Sequence, residues 1–224
     1  METNEHHAGP DGAAVDQPDA QAWWTERYGD APIWSGRPNR ALVETVDGLR
    51  PGRVLDLGSG EGGDALWLAE QGWRVTAVDI APNALERGRV EAERRGLGDR
   101  VTWQQADLTT WRPDERYDLV TAAFLHSSVA FPRAAVLRSA MSAVAPGGHL
   151  LVVGHAGSPS WADHEEHAHA EPLVGPEDQV AQLALDDDWT VVVAELRTRD
   201  VTAPDGSPAS IEDTVVLVRR RAAD

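Results

Sequence analysis

The segment Val54-Leu55-Asp56-Leu57-Gly58-Ser59-Gly60-Glu61-Gly62-Gly63 carries the densest chemical signal in this 224-residue chain. Its apolar run reads as a strand, its glycines as a tight turn, and the residues after them as the start of a helix. Glycines at such a junction let a ligand approach the backbone closely. By bare spacing, Gly58, Gly60 and Gly63 also fit a dinucleotide-binding fingerprint. Three acids shift that reading. Asp56 stands two residues before Gly58, where a carboxylate suits a cationic or ammonium-bearing ligand better than a pyrophosphate. Asp79 ends the second strand, 21 residues after Gly58, where an acid accepts hydrogen bonds from ribose hydroxyls. Asp107 follows the third strand, placed either to meet an adenine amino group or simply to start a turn. All three fall at C-terminal strand ends, where open α/β sheets bind ligands. The pattern implies a positively charged, adenosine-containing ligand.

Two histidines stand at matching places further on. His126 follows the fourth strand and His155 the fifth, so both should face the same rim. Imidazole moves protons near neutral pH, and either ring is a candidate catalytic base or a structural hydrogen-bonder. Trp24, Tyr28 and Trp34 cluster ahead of the core, as a lid over ligand and substrate or as plain core. Phe124 and Trp161 are further candidates for the wall of a substrate pocket. Between His155 and His169 lie Asp163, His164, Glu165, Glu166 and His167. Their spacing is not that of a zinc site, so the stretch reads as a solvated loop or substrate lid, and no metal is assigned.

The elements that must position these groups alternate. Residues 1–18 are polar and aperiodic and read as a disordered tail; 19–221 read as one domain. Within it, 19–50 should form an N-terminal helical cap, starting from Asp19 as N-cap with Gly29 as a stop. Strands and helices then alternate from 53 to 153, with near-continuous apolar strands, which implies a parallel sheet covered on both faces. A His-rich loop and a helix, 155–187, should lie near the pocket. Two strands at 189–201 and 211–219 come next, separated by a strong turn signal at 203–208, and should pair as an antiparallel hairpin. The expected fold is α/β: seven strands, mostly parallel, the last reversed at the C-terminal edge of the sheet, with helices on both faces.

Composition narrows the function classes. The chain has no Cys, which excludes a thiolate nucleophile and Cys-ligated metals. All 20 basic residues are Arg, so Schiff-base chemistry and a phosphate-binding lysine are absent. A net charge of −17 opposes binding to nucleic acid or to an anionic membrane. With no signal-peptide pattern and no run near the roughly 18 apolar residues of a spanning helix, a cytoplasmic location is expected.

The ordered set Leu55-Asp56-Leu57-Gly58-Ser59-Gly60-Glu61-Gly62, Val78-Asp79-Ile80, Ala106-Asp107-Leu108 and Tyr117-Asp118-Leu119-Val120 resembles the successive motifs of class I S-adenosylmethionine-dependent methyltransferases. The likeness spans about residues 20–220. The Trp34-Ser35-Gly36-Arg37-Pro38-Asn39 segment is similar to the small bacterial enzymes near the tellurite-resistance and thiopurine methyltransferase groups. The resemblance implies a Rossmann-like fold with S-adenosylmethionine as cofactor and S-adenosylhomocysteine as product. It implies that Gly58 and Gly60 bring backbone to the methionine part, that Asp56 holds its amino group, and that Ala123 touches the same end. It further implies Asp79 at the ribose, Ile80, Asp107 and Leu108 at the adenine, and Trp34 closing over the cofactor. The expected activity is methylation of a small molecule at oxygen, nitrogen, sulfur or another chalcogen. The alternatives are a non-catalytic S-adenosylmethionine-binding protein and an NAD-type oxidoreductase. Oligomeric state is not legible.

Overall fold

The computed structural model describes residues 19–157 and 172–223. The expected tail at 1–18, and Trp161 with the histidines at 164, 167 and 169, lie outside the described residues.

Seven strands form one sheet: β1 (Arg53–Leu57), β2 (Arg74–Asp79), β3 (Val101–Gln105), β4 (Tyr117–Ala123), β5 (Val144–His155), β6 (Trp189–Thr202) and β7 (Pro208–Arg220), in the order β3-β2-β1-β4-β5-β7-β6. The first five pair in parallel, and β7 runs antiparallel to both of its neighbours. The reversed strand is therefore not at the edge, as expected, but between β5 and β6. Burial explains the placement. Residues 213–218 of β7 are buried throughout, which suits a strand covered on both faces. In β6, Val191, Val192 and Leu196 are exposed, which only an edge position tolerates.

Alternation along β1 builds the two faces. Val54 joins one apolar cluster with helices α2 (Arg40–Val46), α3 (Gly63–Glu70) and α4 (Pro82–Arg94). Leu55 and Leu57 join another with α5 (Arg133–Met141) and α6 (Pro176–Leu183). Helix α1 (Ala20–Tyr28) starts where Asp19 Oδ1 accepts from Gln21 N–H at 3.0 Å and ends at Gly29.

Two expectations about the cap and pocket region change. Helix α2 does not cover the pocket along its length, because Leu42 and Val46 are buried in the sheet-facing cluster. Arg197 of β6 secures it there, donating to Ala41 O at 3.1 Å and Thr45 Oγ1 at 2.8 Å. Helix α6 packs against α5 and the β6–β7 hairpin rather than beside the pocket. Strand β5 is also longer than the apolar run at 150–153. It begins at Val144 and absorbs Pro146-Gly147-Gly148 as an irregularity, its register to β4 shifting between Tyr117 and Leu119.

One contact fixes α4 to the glycine turn. Gly88 is buried in α4 against the Trp103 ring of β3. A Cβ there would lie 2.5 Å from Trp103 Cζ3 and 3.1 Å from the Glu61 carbonyl. Gly→Ala inside a helix ordinarily stabilises. Here Gly88→Ala should instead destabilise by about 1–3 kcal/mol through overpacking, read as a lower urea midpoint at unchanged slope.

Candidate active site

A cavity of about 700 Å³ opens at the C-terminal ends of β1 and β4, where the strand order reverses. Trp34, Asp56, Gly58, Gly60, Asp79, Ile80, Asp107, Leu108 and Ala123 all line it, as do Trp24, Tyr28, Phe124, His126 and His155. Trp161 is the one candidate outside the described residues.

The floor is the glycine turn after β1. Gly58 and Ser59 N–H both donate to Val78 O, at 2.8 and 3.0 Å, and Gly60 N–H donates to Asp79 Oδ2 at 2.8 Å. The other Asp79 oxygen accepts from Ala81 N–H at 2.8 Å. Gly58 and Gly60 take φ of 68° and 53°, in the left-handed region that favours glycine. Close approach adds a second reason: a Cβ on Gly58 would lie 2.5 Å from Leu125 Cδ1, and one on Gly60 2.7 Å from Tyr28 Oη.

The charge around this floor is unusual. Asp56 is 2% exposed; Thr121 Oγ1 donates to its Oδ1 at 2.8 Å, while its Oδ2 is buried without a protein partner. Burial, then the neighbouring Asp64, pushes its carboxyl up to about 7 against the Thr121 hydrogen bond. Asp64, on the first turn of α3, is pushed up to about 6 by burial and accepts from Asn39 N–H at 2.5 Å. Asp79 is raised by burial and held back by backbone N–H groups. Like charges in low dielectric disfavour joint ionisation, and a cation placed among them relieves the repulsion.

The N-terminal wall hangs on one acid of the turn. Glu61 accepts from Ile33 N–H at 3.3 Å and Trp34 N–H at 3.1 Å, and pairs with Arg87 of α4 at 2.7 Å. Arg87 also donates to the carbonyls of Tyr28 and Gly29. Tyr28 is 5% exposed, with Trp24 5.9 Å away ring to ring and Trp34 Nε1 donating to its hydroxyl at 3.5 Å. Burial, with Asp79 nearby, raises its phenol well above the usual range. On the opposite flank Asp107 is exposed, and its Oδ1 accepts from Thr109 N–H at 2.8 Å. It starts a turn, the second of its two readings, while still lining the cavity.

The rim beyond β4 and β5 holds both histidines. Phe124 turns the chain out of β4 with φ 51°, and His126 N–H donates back to its carbonyl at 2.7 Å. His126 Nε2 accepts from His155 N–H at 3.2 Å, and the two rings stack 5.7 Å apart. His155 Nδ1 lies 3.3 Å from Asp213 Oδ1, and Arg199 Nε is 2.7 Å from Asp213 Oδ2. Among the described residues no three metal-ligating side chains cluster.

Glu61, Asp64, Arg87, Arg199 and Asp213 are neighbours of the site that pattern reading does not single out. Glu61 and Asp64 sit inside or beside the glycine motif and are within its reach. Arg199 and Asp213 come from the hairpin and have no local signal.

An acid with a raised folded pKa lowers stability as pH rises from its unfolded to its folded value. Asp56→Asn should therefore raise the Tm of the ligand-free protein, on the order of 5 °C above pH 7, with the gain fading towards pH 4. Calorimetric scans across that range read it directly.

Residues 54–148 match the family model described as a methyltransferase domain. The chain is 33% identical over 132 residues to 2-heptyl-1-hydroxyquinolin-4(1H)-one methyltransferase of Mycobacteroides abscessus, covering 57% of this chain and 58% of that one. It is 32% identical over 136 residues to ubiquinone biosynthesis O-methyltransferase of Vibrio parahaemolyticus, covering 59% and 57%. It thus spans less than two thirds of the length of these relatives. Among solved structures, the N-methyltransferase NodS from Bradyrhizobium japonicum, in complex with S-adenosyl-L-homocysteine, superposes with a TM-score of 0.65 at 19% identity, covering 90% of this chain and 99% of that one. Over residues 54–148 the chain is thus similar to a methyltransferase domain, and the likeness to NodS shows that the fold is shared.

Proposed function

We propose that this protein methylates a small molecule with S-adenosylmethionine as donor. The observation that carries the reading is the buried Asp56 Oδ2, without a protein partner in a floor shared with Asp64 and Asp79. Such a floor suits a ligand bearing an ammonium or sulfonium, and the turn's backbone lies so close to Leu125 and Tyr28 that Gly58 and Gly60 could carry no Cβ. A pyrophosphate would meet these carboxylates with like charge, which disfavours the NAD reading.

The residues divide by role. Gly58 and Gly60 hold the methionine end by close backbone approach, with Asp56 on its amino group and Ala123 beside it. Asp79 has lone pairs left for ribose hydroxyls after its two backbone contacts. Ile80, Asp107 and Leu108 border the adenine. Trp24, Tyr28, Trp34 and Phe124 exclude water and orient the acceptor, contributions that matter most when the donor is already activated. When bound, S-adenosylmethionine supplies a methyl on a sulfonium, so the acceptor's lone pair makes the new bond as the carbon–sulfur bond breaks towards sulfur.

The relatives' names point to hydroxyl-bearing ring compounds as acceptors. The net charge of −17 supports a small molecule over a nucleic acid. None of the described helices is long and apolar enough to cross a membrane. The relatives named above are bacterial, and a cytoplasmic bacterial enzyme is the setting in keeping with them.

Calorimetric titration should give micromolar binding of S-adenosylmethionine and S-adenosylhomocysteine and none of NAD; NAD binding alone would refute the proposal. Because an ammonium near Asp56 lowers its pKa, binding should release a proton. Affinity for S-adenosylhomocysteine should rise severalfold from pH 6 to pH 7.5 and then level. Asp56→Asn should weaken it at least tenfold and remove that pH dependence. Methylation of 2-heptyl-1-hydroxyquinolin-4(1H)-one is the first acceptor assay.

A further inference from the structure

We propose that the open edge of β6 pairs with the same strand of a second copy of this chain, antiparallel about a two-fold axis at Leu196, so that two sheets join into one. The proposal does not depend on the chemistry assigned to the cavity.

Strand β6 has a neighbour on one side only. At 14 residues it is the longest strand of the sheet, and it contains neither Pro nor Lys, two residues that commonly protect sheet edges. Among the described residues five large apolar side chains are exposed, and three of them, Val191, Val192 and Leu196, lie on this strand. Leu196 is 47% exposed in the middle of it. A long apolar edge of this kind is a template for another strand.

The order of charges selects a second copy as that strand. From Val193 to Thr202 the pairing with β7 is unbroken; the irregularity lies earlier, between Val191 and Val193. Glu195 and Arg197 stand opposite Val215 and Asp213, and Arg197 reaches Ala41 O and Thr45 Oγ1, so both belong to the α2 face. Ala194, Leu196 and Thr198 belong to the other face. A two-fold interface sets residue i against j and j against i. Opposite residues of an antiparallel pair share a face, so the axis falls at a residue.

With the axis at Leu196, Glu195 of each copy meets Arg197 of the other, and Leu196 meets itself. Ala194 then faces Thr198, and Val193 faces Arg199. Placing the axis at Glu195, Arg197 or Arg199 sets that charge against its own copy. Placing it at Thr198 sets Arg197 against Arg199, and at Ala194 it leaves Glu195 facing Val193. Opposite charges across strands stabilise and like charges destabilise. The charges that would keep this edge apart in other registers therefore favour one. Arg197 already binds Glu195 of its own strand at 2.7 Å, so the pairing closes a ring of two carboxylates and two guanidiniums. The ladder from Val193 to Arg199 is short beside a standard interface, which makes the association concentration-dependent.

The chain has no Cys, so single-cysteine variants of the full chain report this contact alone. Opposite residues of an antiparallel pair lie about 4.5–5.5 Å apart between Cα atoms, inside the roughly 4.4–6.8 Å range of a disulfide. Leu196→Cys should therefore give a disulfide-linked dimer on mild oxidation. Ala194→Cys and Thr198→Cys share its face, but each lies about 13 Å from its own copy in this register. Neither should cross-link alone, and a mixture of the two should give a linked heterodimer. In sedimentation equilibrium the unsubstituted chain should show a monomer–dimer equilibrium. Glu195→Arg brings four guanidiniums together and should raise the dissociation constant about tenfold. No linkage through Leu196→Cys, equal linkage through Ala194→Cys, or a monomer at every concentration overturns the proposal. So does a dimer that Glu195→Arg leaves unchanged, since another surface or register would then hold it. If a cysteine variant fails to fold, the sedimentation of Glu195→Arg decides alone.

Discussion

The Asp79 carboxylate accepts one hydrogen bond from Gly60 N–H and one from Ala81 N–H, and the site is arranged around that tie. It clamps the glycine turn after β1 onto the end of β2. With the turn fixed, Gly60 presents no side chain to Tyr28, so the phenol packs directly on the loop. The adjacent Glu61 then holds the backbone of Ile33 and Trp34 and pairs with Arg87. Trp103 locks the same turn from the far side through Gly88. A two-ended carboxylate contact thus propagates outward into floor, wall and helix packing.

The floor is also where stability and use oppose each other. Asp56, Asp64 and Asp79 occupy one buried region and are all raised by desolvation. Apolar or amide side chains would fold there more easily. Carboxylates are tolerated where N–H and hydroxyl donors meet their oxygens, and Asp56 Oδ2 is the carboxylate oxygen left buried without one among the described residues. That atom is the chemical difference between this glycine turn and one made for a pyrophosphate.

Local pattern carries the cofactor half of the site and fails on the other half. The strand–glycine–helix junction, Asp56 and Asp79 are encoded within a few residues of one another, so spacing alone locates them. His126 and His155 are legible because each follows an apolar strand. What distinguishes them is not local: it depends on His155 pairing opposite Asp213, a register set only when β7 enters antiparallel beside β5. Arg199 reaches the same carboxylate through the β6–β7 ladder, again beyond any sequence window. The sheet edge is misplaced by pattern for a related reason. Two adjacent strands announce a hairpin, but which of them faces the rest of the sheet is decided by burial, and the six buried positions of β7 decide it. The amphipathic helix α2 looks like a cap because the cluster that buries Leu42 and Val46 includes Val215 and Leu217, from the far end of the chain.

The strand order has a consequence for how the chain assembles. Strand β6 leaves the ribosome before β7, yet it touches the sheet only through β7. Until β7 emerges, the edge of β5 stands open and β6 has no neighbour in this sheet to pair with. The turn at 203–207 holds β6 and β7 next to each other in sequence, so the hairpin is a local contact while the β5–β7 pairing is a distant one. The glycine floor can close early from contacts within the first half of the chain. The His155–Asp213 contact cannot, because Asp213 lies on β7. In the interval the nascent chain presents an unpaired strand edge, the kind of surface that invites pairing with another chain.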